Sequence, residues 1–153
     1  MGDLTSAPVP AIRSDDHVRG DASSSELVVM YADFSCPRCA VAAVRLRDAG
    51  TPTVFRHFAL RSRHPRAVPL AHAAEAAARQ DAFWAFHDAV FADQGRIADP
   101  HLWERCERLG LDVARFEADR RSTAVAERVA RDLREGMRAG VTGTPALLRP
   151  SVD

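Results

Sequence analysis

Two cysteines separated by two residues form the part of this sequence best suited to chemistry. Cys36 and Cys39 follow the apolar run 27–31 and open a helical stretch that reaches Ala49. Residues three apart on a first helical turn bring their sulfurs within bonding reach. The free N–H groups and the positive dipole end at a helix N-terminus favour a thiolate on Cys36. The spacing therefore predicts a redox-active thiol pair.

The residues between the cysteines fit this prediction. Pro37 occupies the first helical position, where its missing N–H leaves no bond unmade. Arg38 adds a cation that stabilises the thiolate and, at this end of the helix dipole, costs the oxidised form ~0.3–1 kcal/mol. Both effects favour the reduced state, so we predict an oxidising couple with a potential above roughly −270 mV. Cys39, one turn further in, is expected to be more buried and to resolve the mixed disulfide.

Paired cysteines at this spacing can also supply half of a zinc site. The sequence contains no second pair of this kind and no closely spaced histidine pair, while His57 and Cys106 lie in other predicted elements. We therefore predict no metal. A purely structural role is also disfavoured, because a thiol pair in a reducing compartment adds no crosslink.

The surrounding pattern predicts the elements that position the pair. The runs 27–31 and 53–58 have the β-branched and aromatic composition of buried strands, with shorter extended pieces near 17–19 and 146–148. From Pro65 onward the apolar spacing is helical, and Asp81, Asp99, Asp112 and Ser122 are predicted N-caps. We divide the chain into a flexible arm (1–25), a first core segment (26–60), a helical insertion (65–139) and a closing core segment (140–153). This order predicts an α/β fold.

Composition excludes several function classes. The chain has 153 residues, 46% of them hydrophobic, and 21 acidic residues balance 21 basic ones. No global field therefore attracts nucleic acid or an anionic membrane. Every basic residue is arginine, which excludes Schiff-base and P-loop lysine mechanisms. The sequence shows neither a secretory leader nor an apolar run of the ~18 residues that a membrane helix needs, so we expect a cytoplasmic protein.

For the other conspicuous side chains we favour a structural role over a functional one. Cys106 and the aromatic stripe 83–91 are predicted to be core, with a peptide-binding or small-molecule face as the alternative for the stripe. His87 is predicted to be a satisfied core or boundary residue, and His57 has tuning of the cysteines as its alternative role. The arginine-rich run 120–138 alternates with acidic residues and is predicted to be a solvated helix face.

The sequence resembles the DsbA-like branch of the thioredoxin superfamily, and is similar to the thioredoxin-like domains found after some bacterial sodium/proton antiporters. The resemblance runs from about His17 to Leu148. Its motifs are Asp-Phe-Ser-Cys-Pro-Arg-Cys at 33–39, Phe-Arg-His-Phe at 55–58, His-Pro at 64–65, Ala-Glu-Ala-Ala at 74–77, Phe-Trp-Ala-Phe-His at 83–87, Leu-Gly-Leu-Asp at 109–112 and Val-Thr-Gly-Thr-Pro at 141–145.

This resemblance implies a thioredoxin fold with an inserted helical domain and a thiol–disulfide oxidoreductase activity. It implies Cys36 as the attacking sulfur, Cys39 as the resolving one, and a cis Thr144–Pro145 bond beside them. The residues expected to support the site or shape the groove for an extended substrate backbone are Phe34, Pro37, Arg38, Thr144 and Pro145. No cofactor beyond the redox disulfide is implied, and the partners are protein disulfides or thiols, or a low-molecular-weight thiol.

The sequence departs from the family in three places. Met30 replaces a buried acidic residue, Ala59 replaces a proline, and the chain stops at Asp153 before the expected final hairpin and helix. We expect either a truncated chain or a second molecule that completes the sheet edge. Two alternative functions stay open: a thiol-dependent reductase or isomerase of small electrophiles, and a non-catalytic redox-sensing interaction module.

Overall fold

A computed structural model describes residues 11–150 of the chain. Within this range a four-stranded mixed sheet is combined with six helices. The strands are β1 (His17–Arg19), β2 (Val28–Ala32), β3 (Thr53–His57) and β4 (Ala146–Leu148), and the helices are α1 (Pro37–Asp48), α2 (Ala67–Ala78), α3 (Phe83–Ala92), α4 (Asp99–Arg108), α5 (Val113–Arg120) and α6 (Thr123–Arg138). The predicted α/β class and thioredoxin-like fold are confirmed.

The sheet has the strand order β1-β3-β2-β4. The central strands β2 and β3 are parallel, whereas β1 and β4 pair antiparallel to the strands beside them. The crossover between β2 and β3 contains α1, as a parallel pair requires. Because α1 begins five residues after β2 ends, Cys36 and Cys39 lie at the carboxyl end of the central strand.

Alternate residues of the central strands enter two different cores. Met30, Ala32 and Phe55 pack with α1 and with the buried faces of α2 to α5. Tyr31 and its neighbours on the opposite face pack with Phe58 and with α6. A Cβ atom at Gly136 would lie 2.9 Å from both Phe58 and Tyr31, so glycine lets α6 approach the sheet closely.

The described part of the predicted N-terminal arm contacts the core. His17–Arg19 forms β1, and the buried Asp16 carboxylate accepts hydrogen bonds from the buried Arg56 guanidinium at 2.8 and 3.1 Å. Arg13 donates to Asp132 of α6 at 2.7 Å. These paired charges fasten residues 13–19 to the sheet and α6; residues 1–10 of the arm lie outside the described residues.

Two of the four predicted N-caps are confirmed. Asp112 accepts the backbone N–H of Arg115, and Ser122 accepts that of Val125. The prediction for Asp99 is wrong by one residue, because Ala98 occupies the N-cap of α4 and Asp99 is the first helical residue. The prediction for Asp81 is wrong, because Ala82 occupies the N-cap position of α3 without a side-chain bond. Asp81 has a positive φ of 57° and forms the tight turn after α2, a backbone region that Asp tolerates better than most residues.

Candidate active site

The first cysteine occupies the N-cap of α1. Cys36 has extended backbone angles (φ −84°, ψ 117°), and its Sγ accepts the N–H of Cys39 at 3.3 Å. Pro37 is the first helical residue, as predicted. A sulfur in this position faces the unpaired N–H groups and the positive dipole end of the helix, which stabilise negative charge.

The Thr144–Pro145 peptide bond is cis and lies beside the cysteines. The Cys36 thiol donates to the carbonyl oxygen of Thr144 at 3.8 Å, so residues 108 positions apart meet at the sulfur. A groove of about 540 Å³ runs along this loop and is lined by residues that include Arg38, Arg63, Thr144 and Pro145. Thr144, Pro145 and Arg38 therefore border one space beside Cys36.

Cys39 is fully buried, whereas 6% of the surface of Cys36 is exposed to solvent. Burial is the main cause that raises the pKa of Cys39 to about 12; Asp33 and Thr144 lower this pKa, and the neighbouring Cys36 raises it. Met30, in the same core cluster, is only 1% exposed and offers no ionisable group. A thiol with a pKa this high keeps its proton at neutral pH.

Gln94, in the loop after α3, holds the peptide segment that carries Cys36. Its side-chain amide donates to the carbonyl oxygens of Phe34 and Cys36, each at 2.9 Å. Gln94 is half-buried and is 58 residues away from Cys36 along the chain. The helical insertion therefore contacts the loop that carries Cys36 through this side chain, and no sequence motif singles Gln94 out.

Phe34 and Asp33 support the loop from below. The ring of Phe34 is 1% exposed and packs on Phe55 and Phe91, with centroid distances of 5.1 and 5.0 Å. Phe34 therefore belongs to the core beneath the site. The buried carboxylate of Asp33 accepts both the backbone N–H and the hydroxyl of Ser35, at 2.9 and 2.7 Å, which fixes the turn that leads to Cys36.

A second polar cluster joins β1, β3 and α2. One carboxylate oxygen of Glu75 contacts Nε2 of His17 at 2.6 Å and Nε2 of His57 at 2.8 Å. Burial alone would raise the pKa of Glu75, but these two hydrogen bonds outweigh it and hold the pKa well below its usual range. The His57 backbone N–H also donates to Asp132 of α6. His57 thus bridges the sheet to the insertion.

The same three side chains are close enough to ligate a metal ion, with all donor atoms within 4.8 Å of one another. Their donor atoms already satisfy each other by hydrogen bonds, so the geometry favours a structural clamp. In the part of the chain that the structure describes, Cys36 and Cys39 share no such cluster with a third ligand. Cys106 is buried in the insertion core on α4, where burial raises its pKa to about 11.

The aromatic stripe of α3 is largely core. Phe83, Phe86 and Phe91 are buried, while the Trp84 indole donates to the carbonyl of Val18 at 3.1 Å. His87 is 3% exposed and hydrogen-bonds with Asp88. Among the residues that the structure describes, no helix has the length and apolar character needed to cross a bilayer.

Known proteins resemble this chain over most of its length. The profile of the DSBA-like thioredoxin domain matches residues 49–149, beginning after the cysteine pair. A Na(+)/H(+) antiporter, NhaA 3 of Salinispora tropica, is 41% identical over 145 residues, which is 90% of this chain and 22% of the antiporter. The chain spans only about a fifth of the length of the curated relatives it matches.

Solved structures show the same likeness. The thioredoxin-like oxidoreductase from Silicibacter pomeroyi DSS-3 is 26% identical, with a TM-score of 0.76, and the match covers 89% of this chain and 80% of that one. Pseudomonas aeruginosa DsbA2 is 27% identical, with a TM-score of 0.70 and coverage of 88% and 80%. The chain belongs to the family of DSBA-like thioredoxin domains.

Proposed function

We propose that this protein is a thiol–disulfide oxidoreductase that uses Cys36 as its attacking sulfur and Cys39 as its resolving sulfur. One observation carries the proposal: Cys36 Sγ lies at a helix N-terminus, 3.3 Å from the N–H of Cys39 and 3.8 Å from the Thr144 carbonyl. The helix end stabilises a thiolate, the second thiol is one turn away, and the adjacent loop can hold a substrate backbone. Protein and small-molecule disulfides or thiols are the proposed partners.

The reduced protein would act as a two-electron donor. The Cys36 thiolate attacks one sulfur of a substrate disulfide, forms a mixed disulfide and releases the other sulfur as a thiolate. Cys39 then loses its proton and attacks Cys36 Sγ, which forms the Cys36–Cys39 disulfide and releases the second substrate thiolate. The protein loses two electrons and its thiol protons pass to solvent. The same steps in reverse oxidise a substrate dithiol, and no further cofactor is needed.

The second step is the harder one for this protein. Cys39 is buried, and its pKa is raised to about 12. Met30 is buried at the position where the resemblance to DsbA-like proteins implies an acidic residue. A water molecule or the departing thiolate must accept the Cys39 proton. We therefore propose that resolution of the mixed disulfide limits the rate at neutral pH and becomes faster as the pH rises.

Turnover of insulin disulfides, driven by a dithiol, tests the proposal. Cys36→Ser should abolish turnover, and Cys39→Ser should accumulate a mixed disulfide on Cys36 that mass spectrometry detects. Cys106→Ala is the matched control, because it removes a third buried cysteine outside the site and should retain turnover. Turnover that survives in the Cys36→Ser variant would overturn the proposal.

A second candidate is a redox-sensing module whose disulfide state changes a partner-binding surface. The replacement of the buried acid by Met30 favours it, because repeated turnover depends on rapid deprotonation of Cys39. The two functions differ in rate: a sensor would form the Cys36–Cys39 disulfide once per oxidation event and would show no multiple turnover of insulin.

A further inference from the structure

We propose that the groove beside Cys36 selects disulfides that carry a carboxylate close to the sulfur–sulfur bond. This inference rests on the proposed function, because it names the substrate class of the same site. Its basis is the placement of two arginines, Arg38 and Arg63, on the border of the groove that also contains Thr144 and Pro145.

The two arginines reach the groove from different segments. Arg38 lies between the two cysteines, and Arg63 lies in the loop between β3 and α2. Arg63 Nη2 donates to the carbonyl of Thr142 at 3.4 Å, and its Nη1 lies 3.7 Å from the position that a Cβ of Gly143 would take. The guanidinium of Arg63 is therefore held over the loop that precedes the cis-proline.

The charged side chains among the described residues of this groove are all positive. Of the described residues that line it, two are arginine and none is aspartate or glutamate. Neither arginine pairs with a carboxylate within the described chain, in contrast to Arg66 and Arg120, which share Asp99. Among residues 11–150, neither arginine thus has a carboxylate within ion-pair distance to neutralise it.

The chemistry of the side chains indicates which anion fits. A guanidinium presents parallel N–H donors that match the two oxygens of a carboxylate. The volume of about 540 Å³ is in the range of small-molecule sites. Thr144 both contacts Cys36 Sγ and lines the groove, so a substrate whose sulfur approaches Cys36 can extend into the space that Arg38 and Arg63 border. A carboxylate there would gain two ion pairs, and an ammonium group would be repelled.

Three small disulfides of similar size and different charge test the inference: dithiodipropionate (anionic), bis(2-hydroxyethyl) disulfide (neutral) and cystamine (cationic). The readout is the ratio of kcat/KM for the charged disulfide to kcat/KM for the neutral one, which corrects for general effects on Cys36. In the wild-type protein this ratio should be higher for dithiodipropionate than for cystamine. The difference should shrink between roughly 0.01 M and 1 M salt, because the Debye length falls as salt is added.

Arg63→Gln keeps an amide donor for the Thr142 carbonyl and removes the charge. It should lower the ratio for dithiodipropionate about three- to fivefold, the upper range for one partly exposed ion pair, and raise the ratio for cystamine. Arg63→Glu leaves one positive charge, that of Arg38, opposite one negative charge and should abolish the preference. Arg61→Gln is the matched control, because Arg61 lies in the same loop but borders a different cavity and should leave all ratios unchanged.

The outcomes separate this inference from the function beneath it. If the Cys36-dependent protein turns over the neutral disulfide but shows no charge preference, the inference fails and the proposed function stands. An equal loss with all three disulfides in Arg63→Gln would assign Arg63 a role in loop shape and would also overturn the inference. If the wild-type protein turns over insulin but reacts with none of the three small disulfides, the inference fails and the proposed function stands.

Discussion

Replacement of Gln94 by alanine should slow the reaction of Cys36, although the substitution changes neither cysteine. The Gln94 amide donates two hydrogen bonds, to the carbonyl oxygens of Phe34 and Cys36, and so fixes the segment on which Cys36 lies. Without these bonds the insertion no longer holds this segment. We expect Cys36 to sample positions away from the productive approach to a substrate disulfide in the groove.

Two effects can be given magnitudes. Each neutral hydrogen bond contributes ~0.5–1.5 kcal/mol to stability, so Gln94→Ala should lower the free energy of unfolding by about 1–3 kcal/mol. In a chain of this size that is a fall in Tm of roughly 2–12 °C. A catalytic group displaced by 1 Å can lose up to ~100-fold in rate. A loosened but intact loop should therefore react about tenfold more slowly.

Gln80 provides the matched control. Its side chain also makes two hydrogen bonds, to the carbonyl and the N–H of Asp112, far along the insertion from the cysteines. Gln80→Ala should lower Tm by a similar or smaller amount, because the hydrogen bonds of Gln80 are exposed and those of Gln94 are partly buried, and it should leave the rate unchanged. The assay is stopped-flow reaction of each reduced protein with bis(2-hydroxyethyl) disulfide, followed by mass spectrometry, together with thermal unfolding. Equal rates for Gln94→Ala and Gln80→Ala would refute the positioning role.

Three further outcomes follow from the packing and the buried charges. Gly136→Ala should lower the free energy of unfolding by ~1–3 kcal/mol in urea titrations, since its Cβ would lie 2.9 Å from Phe58 and Tyr31; an unchanged midpoint would contradict the close approach. The folded-state pKa of Glu75 is below its ordinary 4.5, so the ionised carboxylate contributes stability above about pH 4.5, and this stability is lost as the pH falls. Glu75→Gln should therefore flatten the curve of unfolding free energy against pH in that acid range alone. Burial lowers the pKa of His87 from 6.5, although Asp88 opposes this shift. A separate loss of stability should therefore begin as the pH drops below about 6.5, and this loss should be absent from His87→Gln. An unfolding free energy that stays constant down to about pH 5 would contradict this prediction.

Local chemistry made the centre of the site predictable from sequence. Cys36, Pro37 and Cys39 depend on helix-start geometry, and the structure places them at the N-cap and first turn of α1. The strands and helices follow from apolar spacing, with ends that shift by a residue: β2 is Val28–Ala32 where the composition indicated 27–31. These features are set by residues close together in the chain.

Long-range partners could not be predicted in the same way. Gln94 has no pattern around it, and its two acceptors are backbone carbonyls about 60 residues away. Asp81 has a good capping side chain, but it takes a positive φ in the turn after α2, and Ala82 occupies the N-cap of α3. Glu75 carried a weak signal, since it is a buried acid inside an alanine-rich helix, yet only the fold brings His17 and His57 to it.

The midpoint potential of the Cys36–Cys39 couple tests the central claim most directly. The protein is equilibrated in buffers of defined reduced and oxidised glutathione, its free thiols are alkylated, and the oxidised fraction is read by mass spectrometry in the Cys106→Ala background. A thiolate stabilised at the start of α1 predicts one reversible two-electron transition with a midpoint above roughly −270 mV. A midpoint below that value, or oxidation that forms no Cys36–Cys39 disulfide, would contradict it.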